Sequence, residues 1–270
     1  MSPPLATPVD PRPPGTSPLT RPSEVTYHIP TSPNASKTTI CLPHGSRWTS
    51  GLHFHTQHTE YLRVVRGAVD LYLDGEFKTI SAAEGGMLDG RGELVSSGLV
   101  VRVDPYKRHS WQRADNASRR TLCGMRRRVA SDYADDVVVE EWTDPADVSK
   151  PLFFWNLNRV VLAPDEAEVG MLGEAVRWAL GSWWVPFQLF VIFWRLDNWP
   201  ILWNARGIWD GYGWIGSMLE NAVEYVTTWV VLFTVNVVGQ LIGIEAVTEK
   251  RTPTALWIAW QNKTDTTKSD

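Results

Sequence analysis

Residues 51–75, GLHFHTQHTEYLRVVRGAVDLYLDG, decide the fold of the first half of this 270-residue chain. Apolar residues alternate with polar ones on either side of Gly67, and the run ends in Asp74-Gly75, a strong hairpin signal. Half of the six histidines of the chain, together with a glutamate, crowd into eight residues just before this run: His53, His55, His58 and Glu60. The stretch therefore predicts clustered imidazoles on one strand, followed by a β-hairpin.

Further strand patterns extend this signal over residues 37–142. KTTICL, SGLVVRVDP and DVVVEEW are short runs rich in β-branched residues, and turns separate them. Short strands broken by turns over about a hundred residues are typical of an antiparallel barrel or jelly roll. The sequence thus predicts a mainly β fold, with an antiparallel barrel at 37–142 and a helical region after it.

The spacing of the histidines favours a metal site. His53 and His55 are two residues apart, so on an extended strand their side chains point to the same face. Glu60 begins the next strand, and His109 follows the strand that ends at Pro105. Three imidazoles and one carboxylate suit iron, manganese, nickel, copper or zinc. We therefore expect His53, His55, Glu60 and His109 to bind one transition metal.

These residues resemble the first motif of the cupin family, which has two histidines separated by one residue, then a glutamate, then a glycine. Here the motif is His53-Phe-His55, four residues, Glu60, six residues and Gly67. The second cupin motif, a glycine, a proline and a histidine, is matched by the residues Gly98, Pro105 and His109. The gap from proline to histidine is one residue shorter than in the family. The resemblance covers residues 37–142.

The resemblance implies a small antiparallel β-barrel with a divalent metal inside, iron(II) before manganese, nickel, copper or zinc. It implies a metal-dependent oxidoreductase that acts on a small lipophilic organic molecule, plausibly as a tailoring step in natural-product biosynthesis. Glu60 would ligate the metal and also act as the catalytic base. Two alternatives stay open: a cupin isomerase, cyclase or decarboxylase, and a membrane-tethered module that binds a ligand without catalysis. A homodimer through the barrel is also open.

His58 does not fit the motif. It lies in the predicted turn between His55 and Glu60, where a side chain usually faces solvent. We expect a solvated turn residue, and a proton shuttle or substrate contact is the alternative.

The amino-acid composition argues against nucleic acid as a partner. The net charge is −4 and the isoelectric point is near 5.9, so the chain lacks the basic face of a nucleic-acid binder. Residues 1–36 hold ten of the eighteen prolines and show no apolar periodicity, which predicts a disordered arm. Residues 143–175 are acidic and irregular, and we expect a linker with short helices.

The last third of the chain is built differently, with eleven of the fifteen tryptophans from Trp178 onward. Residues 225–244 are twenty uncharged residues, enough for a helix to cross a bilayer, and residues 179–194 form a shorter segment with a proline. We therefore expect a membrane-associated helical region at 176–250 and a polar tail at 251–270. Lysines and arginines after the second segment predict a cytosolic C-terminus, and two spans would then place the barrel in the cytosol as well.

Three other interpretations of this region stay open. It could be a soluble helical domain with an aromatic core, or the second segment could be a buried strand. The tail could also be the functional part, with the barrel as its sensor. That role would need polar residues on a path, and the tail offers Gln188, Glu224, Asn236 and Gln240.

Overall fold

The strands form two sheets. The computed structural model describes residues 13–82, 87–88, 94–96, 100–114, 136–166 and 169–269. Its strands are β1 (Thr16–Arg21), β2 (Val25–Pro30), β3 (Thr38–Leu42), β4 (His53–Phe54), β5 (Thr59–Arg66), β6 (Ala68–Leu73), β7 (Glu76–Ser81), β8 (Met87–Leu88), β9 (Leu94–Ser96), β10 (Val100–Val103), β11 (His109–Arg113), β12 (Val137–Asp144) and β13 (Trp199–Pro200).

The sheets enclose the core. The order of the larger sheet is β1-β2-β3-β12-β5-β10-β8-β9, and the order of the smaller one is β13-β4-β11-β6-β7. Paired strands run antiparallel except β8 and β10, which are parallel. Alternate side chains of both sheets fill the space between them, among them Ile40, Leu62, Leu71, Val103 and Val139. The predicted mainly β, antiparallel fold with a helical region after it is confirmed. We call the two sheets the barrel.

The predicted hairpin joins β6 to β7. Asp74 and Gly75 both have positive φ, at 49° and 103°, as a two-residue hairpin of this hand requires. The turn between β5 and β6 needs Gly67, which has φ 81°. A Cβ at this position would lie 2.9 Å from a side-chain atom of Val137, so the motif glycine also lets β12 approach.

The prediction of a disordered arm over residues 1–36 is wrong for its second half. β1 and β2 pair antiparallel from Thr16 opposite Pro30 to Arg21 opposite Val25, and β2 continues the larger sheet through β3. Pro18 is tolerated because β1 is an edge strand, where a missing N–H breaks no inner ladder. Residues 1–12 of the predicted arm lie outside the described residues.

Five α-helices follow the barrel among the described residues: α1 (Ser149–Leu162), α2 (Met171–Leu180), α3 (Trp184–Arg195), α4 (Gly213–Leu241) and α5 (Thr254–Ser269). Two expectations for these segments are wrong. Residues 143–175 are not a linker, because β12 extends into them and α1 buries Leu152 and Val160 in the core. Residues 251–270 are not a polar tail alone, because α5 buries Leu256 completely.

The apolar segments fall on α3 and α4. α3 has 12 residues, fewer than the roughly 20 that a span needs, and it buries Val191 and Ile192 against the core. In the part of the chain that the structure describes, α4 is the one helix long and apolar enough to cross a membrane. Length and composition alone support this, and the buried core helix of a soluble protein passes the same test.

The polarity of α4 is reversed relative to an ordinary amphipathic helix. The face buried against the protein recurs about every four residues and carries both charged side chains of the helix, Glu220 and Glu224, together with Thr228 and Asn236; its other members are Gly216, Leu232 and Gly239. The exposed face carries large apolar ones: Trp214, Ile215, Met218, Leu219, Tyr225, Val226, Trp229, Val230, Phe233, Val237 and Leu241.

Hydrogen bonds hold the buried face of α4 to the rest of the protein. Glu220 accepts from the backbone N–H of Gly207 at 2.9 Å. Glu224 accepts from the guanidinium of Arg108, next to the predicted metal ligand His109. Thr228 donates to the carbonyl of Pro200 at 2.9 Å. α4 therefore lies along the protein with its polar side inward.

Candidate metal centre

β4 and β11 of the smaller sheet, together with β5 of the larger sheet, bring the predicted ligands together. His109 at the start of β11 pairs with His53 at the start of β4. His55 follows β4 directly, so its side chain shares the interior face with that of His53. Glu60 reaches the same point from β5 in the other sheet. All four side chains are buried, and one ligand atom from each lies within 4.8 Å of every other.

Backbone carbonyls fix the orientation of all three imidazoles. The Nδ1 of His53 lies 2.9 Å from the carbonyl of Gly51, and that of His109 lies 3.0 Å from the carbonyl of Lys107. The Nδ1 of His55 contacts the carbonyl of Asp197. A carbonyl only accepts, so each Nδ1 carries the proton. Each ring, when neutral, therefore presents an unprotonated Nε2.

These Nε2 atoms face one oxygen of Glu60. The Oε2 atom lies 2.7 Å from the Nε2 of His109, 2.9 Å from that of His55 and 4.0 Å from that of His53. A carboxylate oxygen and an unprotonated imidazole nitrogen are both acceptors, so they repel each other unless a cation lies between them. The donor set therefore fits a bound metal ion.

The alternative cation is a proton on an imidazole, and burial opposes it at His53. Burial, together with the neighbouring imidazoles of His109 and His55, holds the pKa of His53 well below its usual range. Burial also opposes the charge of Glu60, but the Lys150 ammonium and the imidazoles of His55 and His109 hold its pKa well below its usual range. A neutral His53 and an ionised Glu60 are the forms in which both groups bind a metal.

Lys150 and Glu141 complete the centre, and sequence reasoning missed both. Lys150, from the first turn of α1, donates to the Oε1 atom of Glu60 at 2.5 Å and lies 3.2 Å from Glu141. Glu141, on β12, accepts from the indole of Trp111 at 2.7 Å. Lys150 thereby holds one oxygen of Glu60 and leaves the other facing the imidazoles. A lysine beyond the barrel carries no motif that would have identified it.

His58 is not a solvated turn residue, so that expectation is wrong. Its side chain is buried, and its Nδ1 lies 2.8 Å from a carboxylate oxygen of Asp197. Its Nε2 lies 3.5 Å from Asp147. Hydrogen bonds to Asp147 and Asp197 raise the pKa of His58 to about 9, so the ring is an imidazolium in a buried ion pair.

Asp197 connects the helical region to the metal segment, and it too was missed. Its carboxylate accepts from the backbone N–H groups of Thr56 and Gln57, both at 2.8 Å, while its carbonyl binds His55. Asp197 adopts φ 54°, a left-handed conformation that aspartate tolerates better than most residues. The only local sequence signal is that of a turn residue between two apolar segments.

Comparison with known proteins returns solved structures of cupin type, whereas no family model and no curated protein matches the chain. A predicted oxalate decarboxylase from Thermotoga maritima is 16% identical, with a TM-score of 0.31, over 47% of this chain and 91% of its own. KdgF from Halomonas sp. is 15% identical, with a TM-score of 0.29, over 47% of this chain and 84% of its own. A RmlC-like cupin from Shewanella frigidimarina is 12% identical, with a TM-score of 0.28, over 47% and 83%.

Proposed function

We propose that this protein is a metal-dependent oxidoreductase that acts on a small lipophilic molecule, with iron(II) as the first candidate metal. The observation that carries the metal is the buried cluster of His53, His55, Glu60 and His109, in which one ligand atom from each residue lies within 4.8 Å of every other. Three imidazoles and one carboxylate suit iron(II), and also manganese, nickel, copper and zinc. A tailoring step in natural-product biosynthesis is the context we propose.

Each residue has a distinct role in this proposal. His53, His55 and His109 would hold the metal through Nε2, because their Nδ1 atoms are bound to carbonyls. Glu60 would ligate through Oε2 while Lys150 holds Oε1. When bound, the metal supplies Lewis acidity or redox chemistry to a substrate oxygen. We retain the predicted base role of Glu60 as a proposal, although a carboxylate with a lowered pKa is a weak base.

The metal content of the purified full chain tests whether the predicted ligands bind a metal. The wild type should carry close to one transition-metal ion per chain by elemental analysis. His53→Ala and His55→Ala should lose most of it and still unfold cooperatively. His44→Ala is the matched control, because His44 is an exposed histidine outside the cluster. Full metal content in both ligand variants would show that the ion is held elsewhere.

Turnover assays distinguish the hypothesis of an enzyme from that of a module that only binds a ligand. The metal-loaded protein should convert a candidate phenol or enol with consumption of dioxygen, and His109→Ala should not. Conversion without dioxygen would replace oxidation by isomerase, cyclase or decarboxylase chemistry. A metal-loaded protein that binds these molecules and converts none of them would support the non-enzymatic module.

We also propose that the protein associates with a membrane through the exposed face of α4, with the barrel on the cytosolic side. The large apolar side chains on the exposed face of α4 support association, since contiguous exposed apolar patches mark contacts with membranes or other proteins. Tryptophans such as Trp214 and Trp229 favour a membrane–water interface, where the ring is apolar and its N–H finds a polar partner.

Fractionation tests this placement. The full chain should sediment with membranes at low and high salt, and alkaline carbonate should release it if α4 lies on the surface. Retention after carbonate would favour a spanning α4. Recovery of the protein in the soluble fraction from the start would refute membrane association. Protease added to sealed cells should leave the barrel intact if it faces the cytosol.

A further inference from the structure

A cavity of about 150 Å³ lies where the barrel meets α1 and α3. Of the four predicted ligands, His53 is the one in its lining, together with Lys150 and Glu141. The cavity therefore reaches the candidate metal centre on the side of His53. The imidazole of His53 also lies farthest from Glu60, at 4.0 Å.

Five aromatic side chains from both parts of the protein contribute to the rest of the lining, which also contains aliphatic residues and the polar residues Arg21, Thr49, Ser50 and Asn198. The barrel contributes Tyr27 and Trp48, whose ring centroids are 6.2 Å apart. α1 contributes Phe153 and Phe154, and the ring of Phe154 lies 5.3 Å from that of Tyr27. Phe193 of α3 lies 6.0 Å from Phe153. Aromatic rings at these separations pack well against another flat ring.

At the polar end of the cavity, one N–H group of the Lys150 ammonium is not taken by a carboxylate of the described residues. The Lys150 ammonium has three N–H groups, and the carboxylates of Glu60 and Glu141 take two of them. Glu141 accepts from Trp111 through one oxygen and faces Lys150 with the other. A ligand oxygen at this end thus meets an ammonium, a carboxyl group and the candidate metal site.

The volume limits what can enter. A volume of about 150 Å³ is close to that of cavities that hold a molecule the size of benzene. Two fused rings exceed this space, whereas a single ring with one small polar substituent fits.

We propose that this cavity is a binding site for a small planar molecule with one ring and an acidic hydroxyl, as in a phenol or cyclic enol. The hydroxyl lies toward His53 and Lys150, and the ring lies among Tyr27, Phe153 and Phe154. This inference rests on the proposed function and names the substrate class of the same centre. It assigns α1 and α3 to the wall of the site.

Calorimetric titration of the full chain tests the site with phenol, toluene and 2-naphthol. Phenol should bind at least about tenfold more tightly than toluene, because toluene leaves the buried polar end unpaired. 2-Naphthol should bind at least about tenfold more weakly than phenol. Equal affinity for phenol and toluene, or tighter binding of 2-naphthol, overturns the proposal.

Two variants separate recognition from folding. Leu157→Phe adds volume inside the cavity and should weaken phenol binding at least about tenfold, whereas Leu162→Phe, on the exposed side of the same helix, should leave it unchanged. Lys150→Met should reduce the preference for phenol over toluene to less than about threefold. Wild-type phenol affinity in Leu157→Phe, or an unchanged preference in Lys150→Met, overturns the site.

Metal analysis of the same samples distinguishes the two proposals. A metal-free protein that binds phenol with the stated preferences refutes the proposed metal function and keeps the cavity as a ligand site. A metal-loaded protein that does not bind phenol refutes the cavity and leaves the metal function standing.

Discussion

The carboxylate of Asp197 binds the imidazole of His58 at 2.8 Å, and the carbonyl of the same aspartate binds His55. One residue of the helical region therefore holds the turn that separates two predicted metal ligands. The helical region is part of the candidate site in this structure, whatever its relation to a membrane.

Asp197→Asn should destabilise the fold by about 2 kcal/mol, because the variant removes the charged acceptor of a buried hydrogen-bond network. Asparagine tolerates the positive φ at this position, so the backbone carbonyl should stay in place. Urea unfolding measures the change, and Asp104→Asn, in an exposed ion pair, is the control. A loss as small as that of the control would show that the network contributes little.

Stability should fall as pH rises from about 6.5 to 9. The folded pKa of His58 is about 9, above the value near 6.5 expected for an unfolded histidine. The ion pair therefore contributes fully below pH 6.5, and its contribution is lost as pH rises through 9. Urea midpoints at pH 6.0, 7.5 and 9.0 measure this slope. His58→Gln should flatten it, and a slope that survives the substitution would have another origin.

Glu60→Gln should lower both metal content and stability. The buried ammonium of Lys150 would lose the charge of its nearer partner, and breaking a buried ion pair costs about 3–5 kcal/mol. If Glu60 is also the catalytic base, activity per bound metal should fall about 100-fold or more. The comparison needs elemental analysis and rates on the same preparation. Unchanged activity per metal would leave Glu60 as a ligand only, and Glu76→Gln is an exposed control.

Substitutions on the two faces of α4 should act in opposite ways. Val226→Glu on the exposed face should reduce binding to lipid vesicles at least about fivefold and change stability by less than about 0.5 kcal/mol. Glu224→Val on the buried face should destabilise the fold by about 3 kcal/mol, because Arg108 would lose its carboxylate partner. Vesicle flotation and urea unfolding measure the two effects. A stability loss in Val226→Glu would indicate that this face packs against protein.

Strand geometry and short spacings predicted that His53, His55 and Glu60 cluster, and the place of His109 after the strand that ends at Pro105 predicted the fourth residue. Side chains two apart on a strand share a face, so His53 and His55 had to converge. Lys150 and Asp197 could not be found in this way, because tertiary packing alone brings them to the centre from 90 and 142 residues away from their partners. β1 was missed for a different reason. The ten prolines of residues 1–36 predict a disordered arm, whereas an edge strand tolerates a proline.

Because Asp197 lies 142 residues after His55 in the sequence, it is synthesised well after the predicted metal ligands. A ribosome adds roughly 5–20 residues per second, so about 4–18 s pass between the synthesis of His109 and that of Asp197, 88 positions later. Through this interval the nascent chain lacks the carbonyl that orients His55, one of the four predicted ligands. We therefore expect stable metal loading to follow the synthesis of Asp197, and barrel fragments that end near residue 150 to acquire less metal than the full chain.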